Sequence, residues 1–208
     1  LENINPFSPD PLMAQSISAT ITLICKGDGQ EYALIAKRSK RVGTGADVYV
    51  LSVNETLRRK PTEEEIKMLE DAPPEYLNPD YDENQNPCFF KAIVRGTEEE
   101  IGIDLPESNI KFLSFGLETQ RYQYALIGIA ETDFSVEHIN NAFVKAKDAR
   151  LEYAGFHFVP FTPEEIYNFM VKQRPWGPEA EYGLYQALLY KFDSNRVREL
   201  FEDYPNTH

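Results

Sequence analysis

Arg95-Gly96-Thr97-Glu98-Glu99-Glu100-Ile101-Gly102-Ile103 is the most informative run in the chain. Its three consecutive glutamates close a segment, Cys88 to Ile101 (CFFKAIVRGTEEEI), that reads as a helix with Gly102 as its stop. Carboxylates are unfavourable there, because they repel one another and meet the negative pole of the helix. A chain keeps such a run for one of two reasons: the acids are solvated, or they share a cation. Hard divalent ions take several carboxylate oxygens, and acids at i, i+3 and i+4 aim at one point. Burial of one helical face predicts Phe89, Ile93, Ile101 and Ile103 against a sheet, with Arg95, Glu99 and Glu100 along a groove.

Upstream, Ser16 to Lys26 (SISATITLICK) and Tyr32 to Arg38 (YALIAKR) read as strands joined by the turn Gly27-Asp28-Gly29. Asp47 to Val53 (DVYVLSV) is a third strand. Thr62 caps a short helix, and a proline- and acid-rich loop runs from there to Pro87. So long a loop marks an insertion, at about 56–86, beside the site and outside the core. Downstream come strands at Ile110 to Thr119 and Tyr122 to Thr132, a helix from Val136 to about Lys147, and a strand at Gly155 to Phe161. Thr162-Pro163-Glu164-Glu165 opens a helix with a threonine cap and proline in its first turn. A helix follows from about Pro178 to Phe192, and one more short helix lies in Ser194 to His208. Helices and strands do not alternate strictly, so a mixed sheet between helices fits, an α/β/α sandwich. Residues 1–15 read as an arm or linker ahead of a domain spanning 16–208.

The formal net charge of -13 lacks the basic footprint that nucleic acid or an anionic membrane requires. No apolar run approaches the roughly 18 residues of a membrane helix, so a cytoplasmic protein is the default expectation. The two cysteines, Cys25 and Cys88, lack a CxxC pair or a histidine cluster and are expected to be reduced. The chain opens with Leu1-Glu2, as a processed product or a piece of a longer protein would.

The run at 95–103 resembles the second half of the Nudix box, G-x5-E-x7-R-E-U-x-E-E-x-G-U, where U is a bulky aliphatic residue. Arg95, Glu99, Glu100, Gly102 and Ile103 match it. The order of the elements agrees as well, over roughly residues 16 to 192. The resemblance implies a Nudix-type α/β/α sandwich and a metal-dependent hydrolase of nucleoside-diphosphate-linked substrates. It also implies that Glu99 and Glu100 hold Mg²⁺ or Mn²⁺ and that Arg95 orients them. A metal so held would polarise phosphate and activate water. The sequence departs from the pattern at Gly96, where the box has glutamate, and at Thr97, where it has an aliphatic residue. Counted back from Arg95, the upstream glutamate and glycine fall on Pro87 and Tyr81. Glu55, at the end of the third strand, is the nearest replacement carboxylate and completes the expected metal set of Glu55, Glu99 and Glu100.

Glu118 and Glu152, near strand ends, are candidates for a general base, with solvated glutamates as the alternative. The basic cluster Lys37, Arg38, Lys40 and Arg41 either meets phosphates, with Arg38 and Arg41 binding substrate, or is a solvated turn. Trp176 either stacks on a base or packs the last long helix. His138, in a helix, and His157, in a strand, are assigned no chemistry. Two functions follow: a metal-dependent pyrophosphohydrolase, or a non-catalytic ligand-sensing or protein-interaction module of a larger protein on the same fold. In either case the expected ligand is a nucleotide-like small molecule, with a homodimer or a covalently linked partner domain left open.

Overall fold

The computed structural model describes residues 17–42, 46–58, 80–84, 86–118, 123–146 and 149–204. The expected N-terminal arm and the helix capped by Thr62 lie outside them.

β1 (Ile17–Gly27) and β2 (Gln30–Arg38) form the expected hairpin. Asp28 and Gly29 turn it with φ of 46° and 78°, the left-handed pair that matches strand twist. The third strand differs from its expectation. It is divided into β3 (Tyr49–Val50), paired with β2, and β4 (Val53–Thr56), paired with β1. Ser52 sits in the fork where β1 and β2 part. Its N–H donates to the Ile21 carbonyl at 3.1 Å. Its hydroxyl donates to the Leu34 carbonyl at 2.5 Å and accepts from the Leu23 N–H at 2.8 Å. The polar groups exposed by the splayed strands are thereby satisfied in a dry interior.

β5 (Ile110–Glu118), β6 (Gln123–Ser135) and β7 (Tyr153–Pro160) complete a seven-stranded mixed sheet. β1 and β6 run parallel; the other pairs are antiparallel. One face is covered by α1 (Phe89–Gly96), its continuation Thr97–Ile101, and α2 (Val136–Phe143). There Ile93, Ile101 and Ile139 pack on Ile21, Leu23, Leu34 and Val53. A short α3 (Ala149–Glu152) leads into β7. The opposite face takes α4 (Pro163–Lys172), α5 (Pro178–Lys191) and α6 (Ser194–Phe201). Ile166, Met170, Leu184, Leu188 and Val197 bury Ile35, Leu51 and Ile129. The sandwich read from the sequence is the architecture observed.

The helix caps follow the sequence. Thr162 accepts from the Glu165 N–H at 3.3 Å, and Pro163 occupies the first turn of α4. α2 ends earlier than expected, at Phe143. Among the described residues no helix is long and apolar enough to cross a membrane.

Candidate functional site

The acids at 98–100 lie on a π-helical turn that widens the end of α1. Thr97 supports it by donating its hydroxyl to the Ile93 carbonyl at 2.7 Å. Gly102, at φ 82°, closes it by donating its N–H to Thr97 and Glu98 carbonyls, both at 3.0 Å. One extra residue in the turn changes the directions of neighbouring side chains. Glu99 stays on the groove side. Glu100 turns inward and is 8% exposed, contrary to the expectation that both would line the groove.

On the groove side, Arg95 organises three carboxylates. Its Nε and Nη2 donate to the two oxygens of Asp80, at 3.0 and 2.8 Å. Its Nη1 lies 3.0 Å from Glu55 Oε2 and donates to Glu99 Oε2 at 3.2 Å. Arg58 completes the cluster, its Nη2 donating to both Glu99 oxygens at 3.0 and 2.8 Å. The Arg58 backbone N–H donates to Asp80 Oδ2 at 2.8 Å. Burial works against the charged form of Arg95, but its three acids outweigh that and hold its pKa above the ordinary value. Glu55 shows the reverse balance. Burial outweighs the attraction of Arg95 and pushes its carboxyl up to about 7.

Glu55 explains the departure at Gly96. A Cβ at Gly96 would lie 2.3 Å from Glu55 Cγ, 2.7 Å from its Oε1 and 2.9 Å from Val53 Cγ1. The space that a box glutamate would start from is filled by a carboxylate arriving from β4. Glycine is needed there for room, and any larger residue displaces Glu55.

On the inner side, the Tyr153 hydroxyl donates to Glu100 Oε2 at 2.7 Å. Burial first, and the Glu55 charge second, raise the Glu100 pKa well above the ordinary range. Glu152 borders this pair and accepts from Arg38 Nη2 at 3.1 Å. Arg38 is thus engaged by an acid, while Arg41 is exposed on the turn beyond β2. Of the two roles weighed for Trp176, packing is the one the geometry has. It is 9% exposed, and its ring centroid lies 5.2 Å from that of Tyr49. Its indole N–H is taken by the carbonyls of Gln173 at 2.7 Å and Met170 at 3.1 Å. Trp176 has no free face to stack on a base. The side chain of Glu118 lies outside the described residues. Cys25 and Cys88 are free thiols.

A divalent ion needs several carboxylate oxygens turned to one point. Among the described residues no group of three or more His, Cys, Asp or Glu is arranged to hold one. Glu55 does reach the helix as the metal-set expectation required, yet its carboxylate is directed to Arg95. Both oxygens of Glu99 are held by Arg58, and Glu100 faces Tyr153. As arranged, the donor set does not fit a metal ion.

A groove of about 1010 Å³ runs between the end of α1 and α2. Asp80, Arg95 and Glu99 form one wall, and Lys91, His138 and Lys145 bring positive or titratable nitrogen to it. Two site residues were not anticipated from sequence. Asp80 lies within the stretch read as a non-core insertion, yet it is 2% exposed, which corrects that reading at this residue, while 59–79 lie outside the described residues. No periodicity marks a lone acid in a loop. Arg58 did have a signal: Arg58-Arg59-Lys60 is a basic run that begins three residues after Glu55 in an acidic chain.

No family model and no curated protein matches the sequence. Solved structures do resemble the fold. A NUDIX hydrolase from Alicyclobacillus acidocaldarius superposes with a TM-score of 0.51 at 12% identity, covering 86% of this chain and 93% of that one. The NUDIX domain of Shewanella oneidensis NrtR, crystallised with ADP ribose, gives 0.47 at 12% identity, over 87% and 91%. A MutT/nudix family protein from Enterococcus faecalis gives 0.42 at 11% identity, over 74% of this chain. The present chain spans 46% of that protein's length. At such identities the likeness is one of fold, and the fold is of Nudix type.

Proposed function

We propose that this Nudix-type fold is a binding module for a nucleotide-like ligand, with its acidic helix closed by ion pairs and not run as a hydrolytic metal centre. One observation carries the reading: both Glu99 oxygens are taken by Arg58, in a cluster where Arg95 already engages Glu55, Asp80 and Glu99. Two guanidinium groups stand among these carboxylates, where a divalent ion would have to sit. The groove beside the cluster supplies room for a ligand of nucleotide size, and Lys91 and Lys145 suit its phosphates.

The second reading is a hydrolase using Mg²⁺ or Mn²⁺. It draws on the delivery of Glu55 over Gly96, which restores a carboxylate near the helix. Calorimetric titration of each metal, beside a turnover panel of dinucleotide polyphosphates, nucleotide sugars, ADP-ribose and nucleoside triphosphates, separates the two. The module reading expects nucleotide binding without metal and no turnover. Metal-dependent turnover that falls by orders of magnitude in the Glu99→Gln, Glu100→Gln double variant would overturn it in favour of the hydrolase.

A further inference from the structure

We infer that Arg58 is a tethered counter-ion that closes the acidic helix to divalent cations, and that removing it opens a cation site at Glu55 and Glu99. The inference rests on the closed-cluster reading above and names what does the closing.

Three features of the cluster lead there. First, Arg58 grips Glu99 through both oxygens, the arrangement a carboxylate would otherwise offer to a metal. Second, Arg58 is anchored independently of that grip, since its backbone N–H is held by Asp80. The guanidinium is therefore presented at a set height over the helix. Third, the two arginines are not equivalent. The Arg95 side chain is 14% exposed and bonded to all three acids, while Arg58 is 37% exposed and, among the described residues, bonds by side chain to Glu99 alone. Arg95 is built into the cluster; Arg58 covers it from the solvent side.

The charge balance points the same way. Glu55, Asp80 and Glu99 face Arg58 and Arg95, and removal of Arg58 leaves three acids around one guanidinium. Glu55 Oε2 and Glu99 Oε2 both lie against Arg95 Nη1, so the freed Glu99 carboxylate is already beside a second one. A hard cation entering from the groove side would meet oxygens of both. The side chain of Arg58 thus does from within what a bound ion would do from without: it screens the repulsion among acids packed at one helix end.

Mn²⁺ binding to the full chain tests this, measured by titration calorimetry and by loss of the free-ion signal in electron paramagnetic resonance. The unaltered protein is expected to show no binding below millimolar Mn²⁺. Arg58→Ala is expected to bind at least tenfold more tightly, and Arg58→Ala with Glu99→Gln to lose that gain. A folded Arg58→Ala that binds no better than the unaltered protein overturns the inference and leaves the module reading intact. Tight binding by the unaltered protein overturns both. Should Arg58→Ala melt below the assay temperature, Arg58→Gln puts the same question on a side chain of similar length. If both unfold and neither refolds on adding Mn²⁺, the inference is overturned as well.

Discussion

Glu99 and Glu100 are adjacent in sequence and end in opposite chemical environments. Glu99, on the groove side of the π turn, accepts hydrogen bonds from the guanidinium groups of Arg58 and Arg95. Glu100, on the inner side, meets a tyrosine hydroxyl and, among the described residues, no cation in hydrogen-bond contact, and burial favours its neutral form. A buried carboxylate has two remedies, a cation or a proton. This helix end uses both, one residue apart. Acids in an unbroken run therefore need not act as one set.

The contrast is broken most severely at Arg95. Arg95→Met strands Asp80, which is nearly inaccessible, together with Glu55. Loss of one partner in such a buried network costs about 3–5 kcal/mol. Urea unfolding is expected to show a loss of that size, and a loss below about 1 kcal/mol would mean the cluster is solvated after all.

The pH dependence comes next. Glu55 is raised to about 7 from an ordinary value near 4.5, and Glu100 is raised too. Between those values the folded chain holds protons that the unfolded chain has released. Stability from Glu55 is full below about pH 4.5 and is lost as pH rises through about 7, and that from Glu100 is lost in the same direction, as pH rises. Glu55→Gln is expected to flatten its share of that slope, up to roughly 3 kcal/mol between pH 4 and 8. An unchanged slope in thermal unfolding across this range would place the titrating group elsewhere.

Substituting the two glutamates singly sharpens the comparison. Glu99→Gln weakens three charge-assisted hydrogen bonds, two from Arg58 and one from Arg95, and is expected to cost about 1.5–3 kcal/mol at pH 7. Glu100→Gln mimics the neutral carboxyl and keeps an acceptor for Tyr153, so it is expected to change stability by about 0.5 kcal/mol or less. Equal costs in chemical denaturation would contradict the division of roles. Smallest of all, Arg41→Ala on the exposed turn is expected to stay within about 0.5 kcal/mol of the unaltered protein.

The elements were legible because their signals are local. Alternation in 16–26 and 32–38, the turn at Asp28-Gly29, the Thr162 cap and the Gly102 stop each depend on a few neighbouring residues. Their order was enough for the sandwich. The division of the third strand was hidden, because Ser52 reads like any other polar strand residue until β1 and β2 part around it. For the site, sequence singled out the helix end, Arg95, Glu99 and Glu100, and offered Glu55 as a replacement carboxylate from across the insertion. It did not find Asp80, and it left open whether Trp176 packs or binds.

What the sequence determined by itself was therefore the layered architecture and the place where acids accumulate, since both follow from periodicity and spacing. The partner of each acid was decided only by tertiary structure. Whether a carboxylate meets Arg58, Tyr153 or a metal depends on which distant strand or loop delivers its atoms within about 3 Å. The strength of that contact depends on how far packing excludes water. Neither distance nor exclusion is a property of the residues near 99 in the chain; both belong to β4, to Asp80 and to β7, folded against the helix.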